Sequence, residues 1–197
     1  MSNYTIKVVE GKYKLSGEFH TIEPNKPILD TNGKLCGITN PRRMVYTHSY
    51  GSEAPFFAGI AKGRLIATRC DNKDCKDGYR SIFMPFRIHC PDCLERATEV
   101  DITDVANKSA RIHTFMVCER SGAFNTLEKP IRFINIEFEG VTTILMSCLL
   151  GKAEPKIGMK VRPIFRTKDP TYTITDLAFV SVETAEKDLP QGFSFSK

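Results

Sequence analysis

From Ala110 to Glu183 the chain falls into short runs in which apolar and polar residues alternate: ARIHTFMVCE, IRFINIEFEG, VTTILMSCLL, KVRPIFR and TYTITDLAFVSVE. A period of two turns one face of each run toward a core, and the β-branched and aromatic residues they carry suit strands. TEVDITDV, just upstream, reads as one more strand of the same kind. Turn signals such as Glu139-Gly140 and Lys156-Ile157-Gly158 separate the runs. Five or six such strands with no long helix between them predict a mainly β chain ending in a small antiparallel barrel of the OB type, over residues 98–183. Spacing alone leaves another small barrel or a sandwich open.

The flanking segments follow other patterns. SEAPFFAGIAKG predicts one short helix over residues 52–64, with Ser52 to cap it, Glu53 at the positive end of its dipole and Gly63 to end it in the left-handed region. Phe56, Phe57 and Ile60 then share a face, which either docks on the chain's own core or packs on another protein. YTIKVVEGKYKL predicts a hairpin turning at Glu10-Gly11, whereas Ser16 to Gly51 is crowded with Pro, Gly, Asn and Asp. Residues 1–51 therefore read as an N-terminal arm whose long loop is disordered or wraps a partner. Residues 184–197 read as a surface arm, with Phe193 and Phe195 as anchors.

Composition narrows the class. At 197 residues and 41% hydrophobic content, with 13 Phe and no Trp, the chain has material for a packed core. A net charge of +5 favours anionic partners only weakly. The N-terminus lacks the apolar run of an export signal, and VTTILMSCLL is about half a bilayer span, so a cytoplasmic protein is expected. In a reducing compartment, closely paired cysteines point to a metal sooner than to disulfides.

Four of the seven cysteines form two such pairs within residues 65–97. Cys70 and Cys75 have four residues between them, Cys90 and Cys93 have two, and fourteen separate the pairs. Two knuckles offering four thiolates predict a rubredoxin-like zinc ribbon, with iron as the chemical competitor. Four sulfurs leave no open coordination position, so the Zn²⁺ is expected to be structural. His89, beside Cys90, is expected at the surface or behind the ligands.

No catalytic set stands out. Cys148 reads as a small core residue, and Cys118 and His113 fall on opposite faces of a regular strand. Asp101 and Asp104 diverge likewise, and Glu137 and Glu139 read as a solvent face. Neither a nucleophile elbow nor a phosphate or dinucleotide loop is present. Lys152, Lys156, Lys160, Arg162, Arg166 and Lys168 gather late in the chain, as a solvated face or as an anion site. On an OB-type barrel such a rim also suggests single-stranded nucleic acid.

YGSEAPFFAGIAKGRLIATRC, the two knuckles, the RIHTFMVCE run and the late KIGMKVRPIF together resemble the zinc-ribbon plus OB-fold proteins that associate with acyl-CoA enzymes, a family long catalogued as a domain of unknown function. The likeness runs from about Tyr50 to Val182; the four-residue first knuckle and the long N-terminal arm depart from it. The resemblance implies a non-catalytic accessory subunit of a thiolase-type complex, whose partner supplies the catalytic Cys and His. One subgroup pairs with thiolases acting on aromatic succinyl-CoA intermediates such as benzoylsuccinyl-CoA, and another bridges acetoacetyl-CoA thiolase to hydroxymethylglutaryl-CoA synthase. In that setting Phe56, Phe57 and Ile60 would dock the partner, and Lys152, Lys156, Lys160, Arg162 and Arg166 would meet the phosphates of CoA. The competing readings are a nucleic-acid-binding ribbon and barrel, and an iron electron-transfer module.

Overall fold

A computed structural model describes residues 4–17, 20–44, 46, 50–119 and 127–196. The chain divides into two compact units, Met1–Ser49 and Tyr50–Lys197.

The first unit is made of hairpins. Strands β1 (Tyr4–Val9) and β2 (Lys12–Gly17) pair antiparallel around Glu10 and Gly11, which both hold positive φ, as a tight hairpin turn requires. The segment expected to be loop carries two further ladders. Strand β3 (His20–Ile22) pairs with β6 (Arg42–Met44), and between them β4 (Lys26–Leu29) pairs with β5 (Leu35–Thr39). The Asp30 carboxylate closes the inner turn by accepting the Asn32 and Lys34 amides at 2.8 and 2.9 Å. Breakers misled the sequence reading because Pro27 and Gly37 sit within exposed two-stranded pairing, where they are tolerated.

The second unit begins with a 3₁₀ turn, Gly51–Glu53, leading into α1 (Ala54–Ala61). The cap position is Glu53 with no side-chain cap, so Ser52 does not play the role expected of it; Pro55 sets the first turn instead. Gly63, at φ 75°, ends the helix as anticipated. Phe56 and Ile60 are 3% and 1% exposed. The apolar face is thus turned into the chain's own core, which corrects the docking role considered for it. Phe57 packs against the same core and stacks on Tyr50 with ring centroids 4.3 Å apart.

Strand β7 (Ile66–Arg69) is central in a three-stranded sheet, flanked by β8 (Ile82–Phe83) and β9 (Thr98–Asp101). The run TEVDITDV therefore splits. Its first half joins the ribbon sheet, and the chain then turns into a second helix, α2 (Thr103–Ser109). Asp101 starts that helix by accepting the Thr103 amide at 2.9 Å, and Ala106 and Ala110 are small enough to bury beneath the barrel.

The barrel strands are β10 (Arg111–Cys118), β11 (Ile131–Glu137), β12 (Leu145–Cys148), β13 (Val161–Arg166) and β14 (Leu177–Ser181). β10, β11 and β12 form one antiparallel sheet, while β13 and β14 pair in another. A parallel bridge, Leu149 to Phe179, joins β12 to β14, and an antiparallel bridge, Arg111 to Lys160, joins β13 to β10. The ring β10-β11-β12-β14-β13 closes a five-stranded barrel of the expected OB type. Ile112, Ile134, Ile136, Leu145, Phe165 and Phe179 fill it, in one cluster with Phe56, Ile60 and Leu65.

The last residues are no free arm. Strand β15 (Phe193–Ser194) pairs with β13, and Phe193 and Phe195 lie against a second cluster of Ile164, Ala178 and Val180. Both aromatics do anchor the tail, but onto the chain itself.

Candidate metal centre

Each knuckle is a tight turn held by its own backbone. In the first, the Cys75 amide bonds the Asn72 carbonyl, and Arg80, at φ 67°, returns its amide to the Cys70 carbonyl at 2.8 Å. In the second, the Leu94 amide reaches the Cys90 carbonyl, with Leu94 at φ 62°, and the Cys90 amide bonds Glu95. These turns aim four thiols at one point.

The sulfurs of Cys70, Cys75, Cys90 and Cys93 all lie within 4.8 Å of one another. Cys70 Sγ stands 3.8 Å from Cys93 Sγ, and Cys75 Sγ 3.9 Å from Cys90 Sγ. Sulfurs bound at about 2.3 Å to one tetrahedral ion sit about 3.8 Å apart, whereas a disulfide holds them at about 2.05 Å. The spacing and the soft donor set fit a metal ion such as zinc, held by these four residues. When bound, such an ion supplies cross-linking charge and no open coordination position. Cys70, Cys75 and Cys90 are buried.

Electrostatics around the set are uneven. Burial pushes the Cys70 thiol up to about 12 and also raises Cys75, while a hydrogen bond from the Glu95 backbone brings Cys93 down to about 7. Holding all four as thiolates in this setting requires a cation. The Gly78 amide contributes by donating to Cys75 Sγ at 3.2 Å. Gly78 is a residue that the cysteine spacing does not reveal: a Cβ there would stand 2.8 Å from both Cys75 Sγ and Cys90 Sγ, and 2.6 Å from Asp92 Oδ2. His89 is exposed, with Nδ1 3.1 Å from the Leu94 carbonyl oxygen.

The basic residues do not converge. The Arg162 guanidinium lies 3.6 Å from the Phe195 ring centroid, and that of Arg166 4.8 Å from Phe193. Arg166 also faces the buried carboxylate of Asp176 at 3.6 Å. Both arginines thus stack on aromatic rings of the tail, which engages groups expected to meet phosphate, although each stays partly exposed. Lys156 and Lys160 line a groove together with Glu154 and Glu183, and Lys152 is exposed nearby in sequence. Outside the ribbon, His113 Nδ1 is 3.0 Å from Glu137 Oε2 at a bulge of β10, an exposed pair.

No family model and no curated protein matches the chain. Among solved structures, a chain of the Ltp2-ChsH2(DUF35) aldolase is similar at 19% identity and a TM-score of 0.50, over 71% of this chain and 98% of that one. A DUF35-family protein of unknown function from Sulfolobus solfataricus aligns at 20% identity and a TM-score of 0.46, over 69% of this chain and 87% of that one. At this identity the first likeness speaks to fold, and it agrees with the ribbon-plus-barrel architecture. No helix among the described residues is long and apolar enough to cross a membrane.

Proposed function

We propose that the chain is a non-catalytic, metal-binding accessory subunit of a thiolase-type acyl-CoA complex. The observation that carries this reading is the closed four-cysteine site on a ribbon-plus-barrel fold like that of a chain in the Ltp2-ChsH2(DUF35) aldolase. A site with four sulfur ligands holds structure and turns over no substrate. The chemistry, thiolysis of a 3-oxoacyl-CoA or the reverse condensation, then belongs to the partner, with an aromatic succinyl-CoA intermediate such as benzoylsuccinyl-CoA as substrate. In this role the ribbon and barrel cover the partner's active-site entrance.

Docking is assigned to the N-terminal unit in place of the helix. Ile28, Leu29, Leu35 and Ile38 of the β4–β5 hairpin are each roughly half exposed or more, at 47%, 54%, 61% and 58%. A two-stranded hairpin has little stability of its own and gains by burying such exposed apolar side chains on a partner. Lys152, Lys156 and Lys160 are the groups left to meet CoA phosphates. Affinity purification from the native host tests the proposal. A copurifying thiolase-like subunit, lost on Ile28→Ser with Leu35→Ser while the metal content stays constant, is expected. Recovery of single-stranded nucleic acid with no acyl-CoA enzyme would overturn it.

A further inference from the structure

The barrel is not sealed along its whole length. β10 meets the chain before β13 at its first residues only: the Ile112 amide bonds the Met159 carbonyl, and the Gly158 amide the Ile112 carbonyl at 2.7 Å. Beyond that point the β13 side of the opening is occupied by β15, which pairs with Phe165 and Arg166. β10 itself runs on, paired only with β11 among the described residues, and every residue from His113 to Val117 is exposed. Phe115, Met116 and Val117 are 42%, 58% and 48% exposed, apolar side chains on an open strand.

The register fixes which backbone groups are open. The Arg132 carbonyl accepts the Leu149 amide and therefore faces away from β10. Val117, opposite Arg132, likewise directs its own amide and carbonyl outward, as does Phe115 two residues earlier. No described residue bonds these groups. Such an edge is a template for another strand.

We propose that the occupant is a second copy of this chain, with β10 pairing antiparallel to its equivalent about a two-fold axis at Met116. Met116 lies between Phe115 and Val117, the two residues whose backbone groups point outward, so an axis there sets those groups against each other. Antiparallel pairing sets Phe115 opposite Val117 of the other copy, so that the outward-pointing backbone groups of both are satisfied. It also sets His113 opposite Glu119, basic end against acidic end, where a parallel arrangement would match like with like. The two three-stranded sheets become one of six strands. A contact this short buries less than the roughly 800 Å² per partner of a standard-size specific interface, so the dimer dissociates on dilution. The inference does not depend on the functional reading above.

The test uses the isolated full-length chain. Sedimentation equilibrium across a wide concentration range is expected to show a monomer–dimer equilibrium. Met116→Lys, which sets two ammonium groups face to face at the axis, should weaken it about tenfold or more with an unchanged thermal melt. Met116→Cys should form an intermolecular disulfide joining position 116 of both copies under mild oxidant, since facing Cα atoms in a strand pair lie about 4.5–5.5 Å apart. The wild-type chain controls for the natural cysteines. A monomer at every concentration overturns the proposal. In that case, hydrogen exchange shows whether the chain's own N-terminal unit protects the Phe115 and Val117 amides or the edge is left for a different protein. A dimer indifferent to Met116→Lys overturns it equally.

Discussion

Gly78→Ala tests the metal centre without removing a ligand. The added methyl would stand 2.8 Å from the sulfurs of Cys75 and Cys90 and 2.6 Å from Asp92 Oδ2. Asp92 can swing aside, but the two sulfurs cannot separate without leaving the positions that one ion demands. Overpacking of this kind costs about 1–3 kcal/mol. If the strain falls on the metal-bound state, affinity drops roughly 5- to 150-fold, at about 1.4 kcal/mol per tenfold. The assay is competition for Zn²⁺ with a chromogenic chelator at neutral pH. Gly37→Ala serves as control, because a Cβ there meets only Ile28 Cδ1, at 3.9 Å. Unchanged affinity in Gly78→Ala would refute the argument, since the sulfurs could not then converge as described.

Other outcomes follow from the same geometry. Gly59→Ala should lower the thermal melt although alanine favours helices, because its Cβ would lie 2.7 Å from Ile66 Cγ1 and 3.2 Å from the Arg64 carbonyl oxygen; a gain in stability would show that α1 can shift off β7. Thr103→Val removes the hydroxyl oxygen that accepts the buried Leu65 amide at 2.8 Å. Urea unfolding should register a loss of about 1–3 kcal/mol, the cost of an orphaned buried donor. Metal binding at pH 7 should release protons from Cys70 and Cys75, whose thiols burial holds above the usual range, with less from Cys93 at about 7. Affinity should therefore rise with pH, and calorimetry in buffers of different ionisation enthalpy would detect the release; binding without proton release would contradict thiolate ligation.

The cysteine module was legible because ligand spacing is a local property: two short knuckles can be seen in sequence without knowing where the chain goes. The barrel was legible for a similar reason, since each strand carries its own period-two pattern. What failed depended on partners distant in sequence. Nothing local says that Asp101 starts α2 while its carboxylate also holds the Arg64 guanidinium at 2.7 Å. Arg162 and Arg166 lie four apart in a strand, on one face, and Phe193 and Phe195 lie two apart; the match between these pairs is visible only once β15 is laid on β13. The face of Phe56 and Ile60 was correctly seen as apolar, but periodicity cannot say whose core an apolar face enters.

The ribbon contributes little apolar interior of its own: Phe83 is the buried non-cysteine residue beside the four sulfurs. Met84 and Phe86, which follow it, belong instead to the barrel's cluster. Threonines make the join. Thr143 Oγ1 accepts the Met84 amide and donates to the Met84 carbonyl, each at 2.7 Å, in the manner of a missing strand partner, and the adjacent Thr142 amide reaches the Ile82 carbonyl at 2.8 Å. On the other side, Thr68 Oγ1 accepts the Arg87 amide at 3.1 Å. The segment between the knuckles is thus held at its second half by the β11–β12 loop and by β7, while the knuckles, each closed by its own backbone bonds, would be joined to one another by the metal. A bound ion therefore does more than close two turns. It would tie the two knuckles to β8, which pairs with β7 and whose Ile82 carbonyl accepts the Thr142 amide from the β11–β12 loop.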